Sequence, residues 1–165
     1  MPLNFSEKEL IYANIQNFMT IKEAYRHIVQ LEECTLPRDK WTHNMHLIKG
    51  LYIYLSFHKK SLPAMKERIW RYNDVIGKGN ADTGYHKTLT VFWLWAVRQF
   101  CLKNDITEFN QSAIDAVLND ADLQKRKLVE DYYDEIDLYL SRRHFMSPSL
   151  KAMEDVEYFL ENEEN

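Results

Sequence analysis

The sequence predicts a single all-α domain, residues 1–165, of roughly six to eight helices. Three observations carry that prediction. Apolar residues recur at helical rather than alternating spacing through most of the chain. Four glycines and four prolines leave little turn material for a meander of short strands. A hydrophobic content of 45%, with four Trp and ten Tyr, fills one core at 165 residues but not two.

Each element has its own justification. Ser6 stands where it can cap a first helix over Glu7–Met19, in which Leu10, Ala13, Ile15 and Phe18 approximate one face. Thr20 caps a second, whose stripe of Ile21, Ala24, Tyr25, Ile28 and Leu31 runs until Leu36-Pro37 ends it. Beyond the polar turn Pro37–Lys40, Thr42 caps a third helix reaching Phe57. Trp41, Met45, Ile48, Tyr52 and Leu55 on one face and Leu47, Leu51 and Tyr54 beside it make that helix apolar over most of its circumference, hence central. Gly50 in its middle costs about 1 kcal/mol relative to Ala and marks a close approach. Ser61 and Pro63 open a fourth helix with Met65, Ile69, Tyr72 and Ile76 inward, and Gly77–Asn80 closes it. The longest helix starts at Asp82, Thr83 or Gly84 and runs to Lys103. Leu89, Trp93, Ala96, Val97 and Phe100 form its inner face, and Arg98, Gln99 and Lys103 its wetter side. Ile106–Leu118 is a shorter amphipathic helix, Gln124–Leu140 reads as one helix or two, and Ser147-Pro148 opens a last short one. The acidic tail 154–165 is expected to fray.

Several functions are disfavoured. A net charge of −4 argues against a nucleic-acid partner, which needs a basic face. Cys34 and Cys101 are isolated, so they form no CxxC motif or disulfide framework and are expected reduced and inert. No secretory leader and no long apolar run appear, so no membrane is expected and the chain is read as soluble and cytoplasmic. Gly77-Lys78-Gly79 lacks phosphate-loop spacing, and Asn119–Asp122 lacks the Gly and Glu of a calcium loop.

What remains is polar chemistry at two helix openings. Thr42, His43, Asn44 and His46 open one apolar helix, and Tyr85, His86, Thr88 and Thr90 lie at the start of the other. At 100° per residue His86 falls on the Leu89, Trp93, Val97 face and points inward, with Thr90 one turn above, while Lys87 faces solvent. Packing through these ends gathers His43, His46 and His86 with Asn44, Tyr85, Thr88 and Thr90 into one pocket. Arg142 is positioned as either a helix C-terminal charge or a carboxylate or phosphate ligand. Such a pocket suits a small polar molecule or a divalent metal, zinc or iron, held by His43, His46 and His86. In a catalytic version His43 and His86 are the acid/base groups or ligands, and Tyr85 and Thr90 orient them. The spacing is H-x-x-H rather than H-E-x-x-H, so no glutamate base accompanies it. The alternative is a non-enzymatic helical interaction protein whose histidines are satisfied packing residues and whose function lies in an exposed apolar patch.

Three segments, W-T-H-N-M-H-L at Trp41–Leu47, G-Y-H-K-T-L-T at Gly84–Thr90 and F-M-S-P at Phe145–Pro148, resemble a group of uncharacterised small all-helical bacterial proteins. The resemblance implies His43, His46, Tyr85, His86 and Thr88 as matching positions. It brings no activity. Its relatives look like Y-H-E-T where this chain has Lys87, so no carboxylate is available there.

Overall fold

Two helices that lack a polar side occupy the centre, and the rest of the chain covers them. The computed structural model describes residues 18–80 and 83–161, which contain helices and no strands. Their α-helices are α1 (Ile21–Glu32), α2 (His43–Phe57), α3 (Ser61–Val75), α4 (Lys87–Lys103), α5 (Gln111–Leu118), α6 (Ala121–Gln124), α7 (Glu135–Leu140) and α8 (Glu157–Leu160). Short 3-10 turns lie at Arg38–Lys40, His58–Lys60 and Arg126–Asp131. The all-α expectation holds. The predicted first helix lies outside the described residues apart from Phe18 and Met19, which are not helical.

α2 and α4 pack on each other, and α3 packs against both. α2 buries Met45, Leu47, Ile48, Leu51, Ile53 and Tyr54; α4 buries Val91, Phe92, Leu94, Trp95 and Val97. Gly50 does lie against α4, but a methyl there would sit 3.9 Å from Val97 Cγ2, an ordinary contact, so the packing does not require glycine. None of the described helices is long and apolar enough to cross a membrane. Both cysteines are free, and burial pushes the Cys101 thiol up to about 12, far from reactive.

The structure corrects several boundaries. α4 begins at Lys87, because Gly84 turns the chain at φ +78° and His86 is the N-cap. α5 begins at Gln111, where the Asn110 side chain accepts from Ala113 N at 2.9 Å, five residues after the predicted Ile106. The stretch from Gln124 to Leu140 divides, with Asp120 and Asp134 capping α6 and α7 through their carboxylates. Ser147-Pro148 opens no helix.

The predicted frayed tail is instead docked over 154–161. Val156 and Phe159 are buried, Trp95 Nε1 donates to Glu154 O at 2.8 Å, and the Arg98 guanidinium lies 3.8 Å from the Tyr158 ring centroid. Arg98, expected on the wet side, is therefore only 8% exposed, with Nη1 2.8 Å from Asp155 Oδ2.

Candidate functional site

The N-terminal ends of α2 and α4 border one cavity of about 500 Å³. Each end is set by its cap. Thr42 is extended (φ −88°, ψ 171°) and its hydroxyl accepts from Met45 N at 3.3 Å, which makes His43 the first residue of α2. His86 is likewise extended, and its ring Nδ1 accepts from Leu89 N at 3.2 Å, so an imidazole does the work usually done by Ser or Asp.

His43, His46 and His86 each pair one ring nitrogen with a backbone carbonyl, and a carbonyl only accepts, so the tautomers follow. His43 Nε2 donates to Leu123 O at 2.7 Å, leaving Nδ1 unprotonated. His46 Nδ1 donates to Thr42 O at 2.7 Å, leaving Nε2 unprotonated, and its ring lies 3.7 Å from Trp41. His86 Nε2 donates to Leu138 O at 2.7 Å, and with Nδ1 occupied by the cap both of its nitrogens are engaged. The His43 ring meets Trp93 edge-on at 4.8 Å.

Electrostatics hold all three rings neutral. Burial pushes His46 down to about 4 against the opposing pull of its carbonyl bond, and the charges of Lys78 and Arg126 add to the depression. Burial lowers His43, with a smaller push from Arg126, and burial lowers His86, with one from Arg142.

His43, His46, Tyr85, His86 and Thr90 line the cavity. Thr90 Oγ1 donates to His86 O at 2.8 Å, one turn along the helix. Thr88 is fully buried behind the wall, where its hydroxyl donates to Ser141 O at 2.9 Å and accepts from Met146 N at 3.3 Å. Asn44 accepts from Gln124 Nε2 at 3.0 Å and ties the start of α2 to the end of α6. Arg142 sends Nη1 to Gly84 O and Tyr85 O at 3.4 and 3.3 Å, bracing the turn before α4. These three positions, assigned to ligand contact by sequence, instead support the wall. The predicted metal set needs the same kind of correction. His86 has no lone pair to give, and among the described residues no three His, Cys, Asp or Glu side chains stand where they could hold an ion.

Sequence reasoning missed the outer wall. Arg126, Val129, Glu130 and Leu138 close the cavity from the 3-10 turn and α7, and Asn73 and Lys78 from the end of α3 and its turn. Only the Gly77 and Gly79 flanks of Lys78 hint locally at an exposed turn cation.

His86→Ala removes a cap and one partner of Leu138 O, which keeps a long contact from Ser141 Oγ at 3.4 Å. The expected loss is about 2 kcal/mol, and His86→Asn, which can still cap, is expected to recover about half of it. Urea denaturation of the two variants checks this, and equal losses would remove the capping role.

Comparison of the chain with protein-family models, with curated proteins and with solved structures finds no match.

Proposed function

We propose that the protein binds a small polar molecule in this cavity and that His43 is the proton acceptor acting on it. One observation carries the reading: His43 and His46 each fix one ring nitrogen on a carbonyl and keep the other unprotonated beside a cavity of ligand size. Fixed tautomers remove the reorientation a base would otherwise undergo on binding. His43 suits the role better than His46, whose pKa near 4 makes it a weak base at neutral pH. His86, with both nitrogens engaged, is a positioning residue.

Long-range ¹⁵N spectra of the imidazoles test this. His46 is expected to stay neutral as pH falls to about 4, and added small polar molecules are expected to shift the His43 and His46 signals. In His43→Ala, turnover or the ligand response of His46 should be lost, alongside a stability cost of about 1–2 kcal/mol from the missing donor to Leu123 O. Titration of both rings near 6.5, with no ligand response, would sink the reading. Stability follows with a definite sign. Between pH 6.5 and about 4 the unfolded chain takes up a proton at His46 that the folded chain refuses, so stability falls as pH falls, by at most about 1.4 kcal/mol per pH unit for that site.

A second reading, a non-enzymatic interaction protein, has one observation in its favour. α7 turns Leu138 to the cavity while Ile136, Tyr139 and Leu140 are 69%, 83% and 63% exposed. Serine at those three positions leaves the imidazole response intact if the cavity is the functional site.

A further inference from the structure

The charges around the cavity run against the charge of the molecule. The whole chain carries −4, yet the ionic side chains at the cavity are Lys78, Arg126 and Glu130, a local excess of one positive charge when the histidines are neutral. Among the described residues neither Lys78 nor Arg126 is in an ion pair, although Arg126 and Glu130 belong to the same short turn. Both cations nevertheless act into the site, since both depress His46 and Arg126 also depresses His43. The two N-terminal helix ends at the cavity add partial charge of the same sign. The same cavity also has apolar lining, from Trp41, Trp93, Leu89 and Val129.

We propose that the ligand is a small organic monoanion, a carboxylate on an apolar body, whose charged end sits between Lys78 and Arg126 and whose body lies against Trp41 and Trp93. This rests on the cavity being the binding site. Glu130 favours one negative charge over two, because a phosphate dianion brought to the same rim would meet its carboxylate. A solvent-exposed cation gains most from an anion that arrives with its own apolar cover, which thins the water between them.

Matched carboxylate and carboxamide pairs make the test, for example benzoate with benzamide, indole-3-acetate with its amide and isovalerate with its amide, with phenyl phosphate as the dianion. Binding is read from the His43 and His46 imidazole signals. Carboxylates are expected to bind at least about tenfold tighter than their amides. In Lys78→Gln/Arg126→Gln that advantage should shrink to within about twofold, as it should in half-molar salt. Both side chains are exposed, so the double variant should melt like the parent. Amides that bind as well as carboxylates overturn the monoanion and leave the cavity reading standing. Phenyl phosphate that outcompetes benzoate overturns the single charge. A panel in which no member moves either imidazole overturns the cavity reading together with this one.

Discussion

Replacing Glu32 with alanine is expected to cost about 3–5 kcal/mol, because it strands a buried ammonium. Lys49 lies in the middle of α2 with its side chain 0% exposed, and its Nζ is 2.7 Å from Glu32 Oε1. The same carboxylate also receives Arg68 Nε and, at 3.3 Å, Arg71 Nη2. Glu32 is itself about one-third exposed, so water screens the Arg71 leg and the Lys49 leg dominates. With the carboxylate gone, Lys49 keeps, among the described residues, the Tyr52 ring, 5.5 Å away, and two guanidinium neighbours. Burial already depresses its pKa, so the variant escapes part of the loss by releasing the proton. Lys49→Met removes the charge and the need for a partner together, and is expected to stay within about 1.5 kcal/mol of the parent. Urea denaturation at neutral pH separates the two outcomes; a loss below about 1 kcal/mol for Glu32→Ala would mean that water reaches Lys49. The pH dependence has a fixed sign. Burial alone would raise Glu32, but the bonds from Lys49 and Arg68 outweigh it and hold its pKa below 4.5. Its contribution is therefore complete above pH 4.5 and drains as pH falls through the lower folded value.

What the sequence makes legible is what is local. Thr20 and Thr42 cap as read, since a hydroxyl before an apolar run contacts only its own first turn, and the bodies of α1 to α4 follow from spacing alone. His43, His46 and His86 share a cavity because the two central helices that pack on each other both open with them. Their roles were not legible. A helical wheel that starts at Gly84 puts His86 on the inner face, whereas the positive φ of Gly84 delays the helix and turns the same residue into its cap. Arg98 reads as a solvent charge until Asp155 and the Tyr158 ring meet it, and Lys49 lies buried where Glu32 of another helix reaches its ammonium. The tail shows the same error from the other side. Its glutamates suggest fraying, yet Met153, Val156 and Phe159 recur at helical spacing and are the residues that dock. The outer wall at Arg126 and Glu130 depends on how a 3-10 turn folds back over α2, and no local pattern encodes that.

Alanine at Gly84 is expected to cost about 2–5 kcal/mol and to disturb the cavity at the same time. Two costs combine. At φ +78° any Cβ meets the left-handed penalty of about 1–2 kcal/mol. The new atom would also stand 2.2 Å from Gly79 O and 2.8 Å from Asn73 Nδ2. Neither obstacle can step aside. One is backbone, and the other is a buried amide bonded to Asn80 Oδ1 at 3.0 Å, with Asn80 held in turn by Trp70 O and Asp74 Oδ1. Overpacking of this kind adds about 1–3 kcal/mol. Gly77→Ala is the control, since Gly77 has φ +76° with nothing within 4 Å of a Cβ, so it carries the conformational cost alone. The difference between their urea midpoints isolates the overlap. Because Gly84, Asn73, Tyr85 and His86 all border the cavity, the variant should also broaden or shift the His86 imidazole signal. If Gly84→Ala proves no worse than Gly77→Ala, the turn yields to the methyl, and the rigid Asn73–Asn80 buttress cannot be what sets the start of α4 beside the cavity.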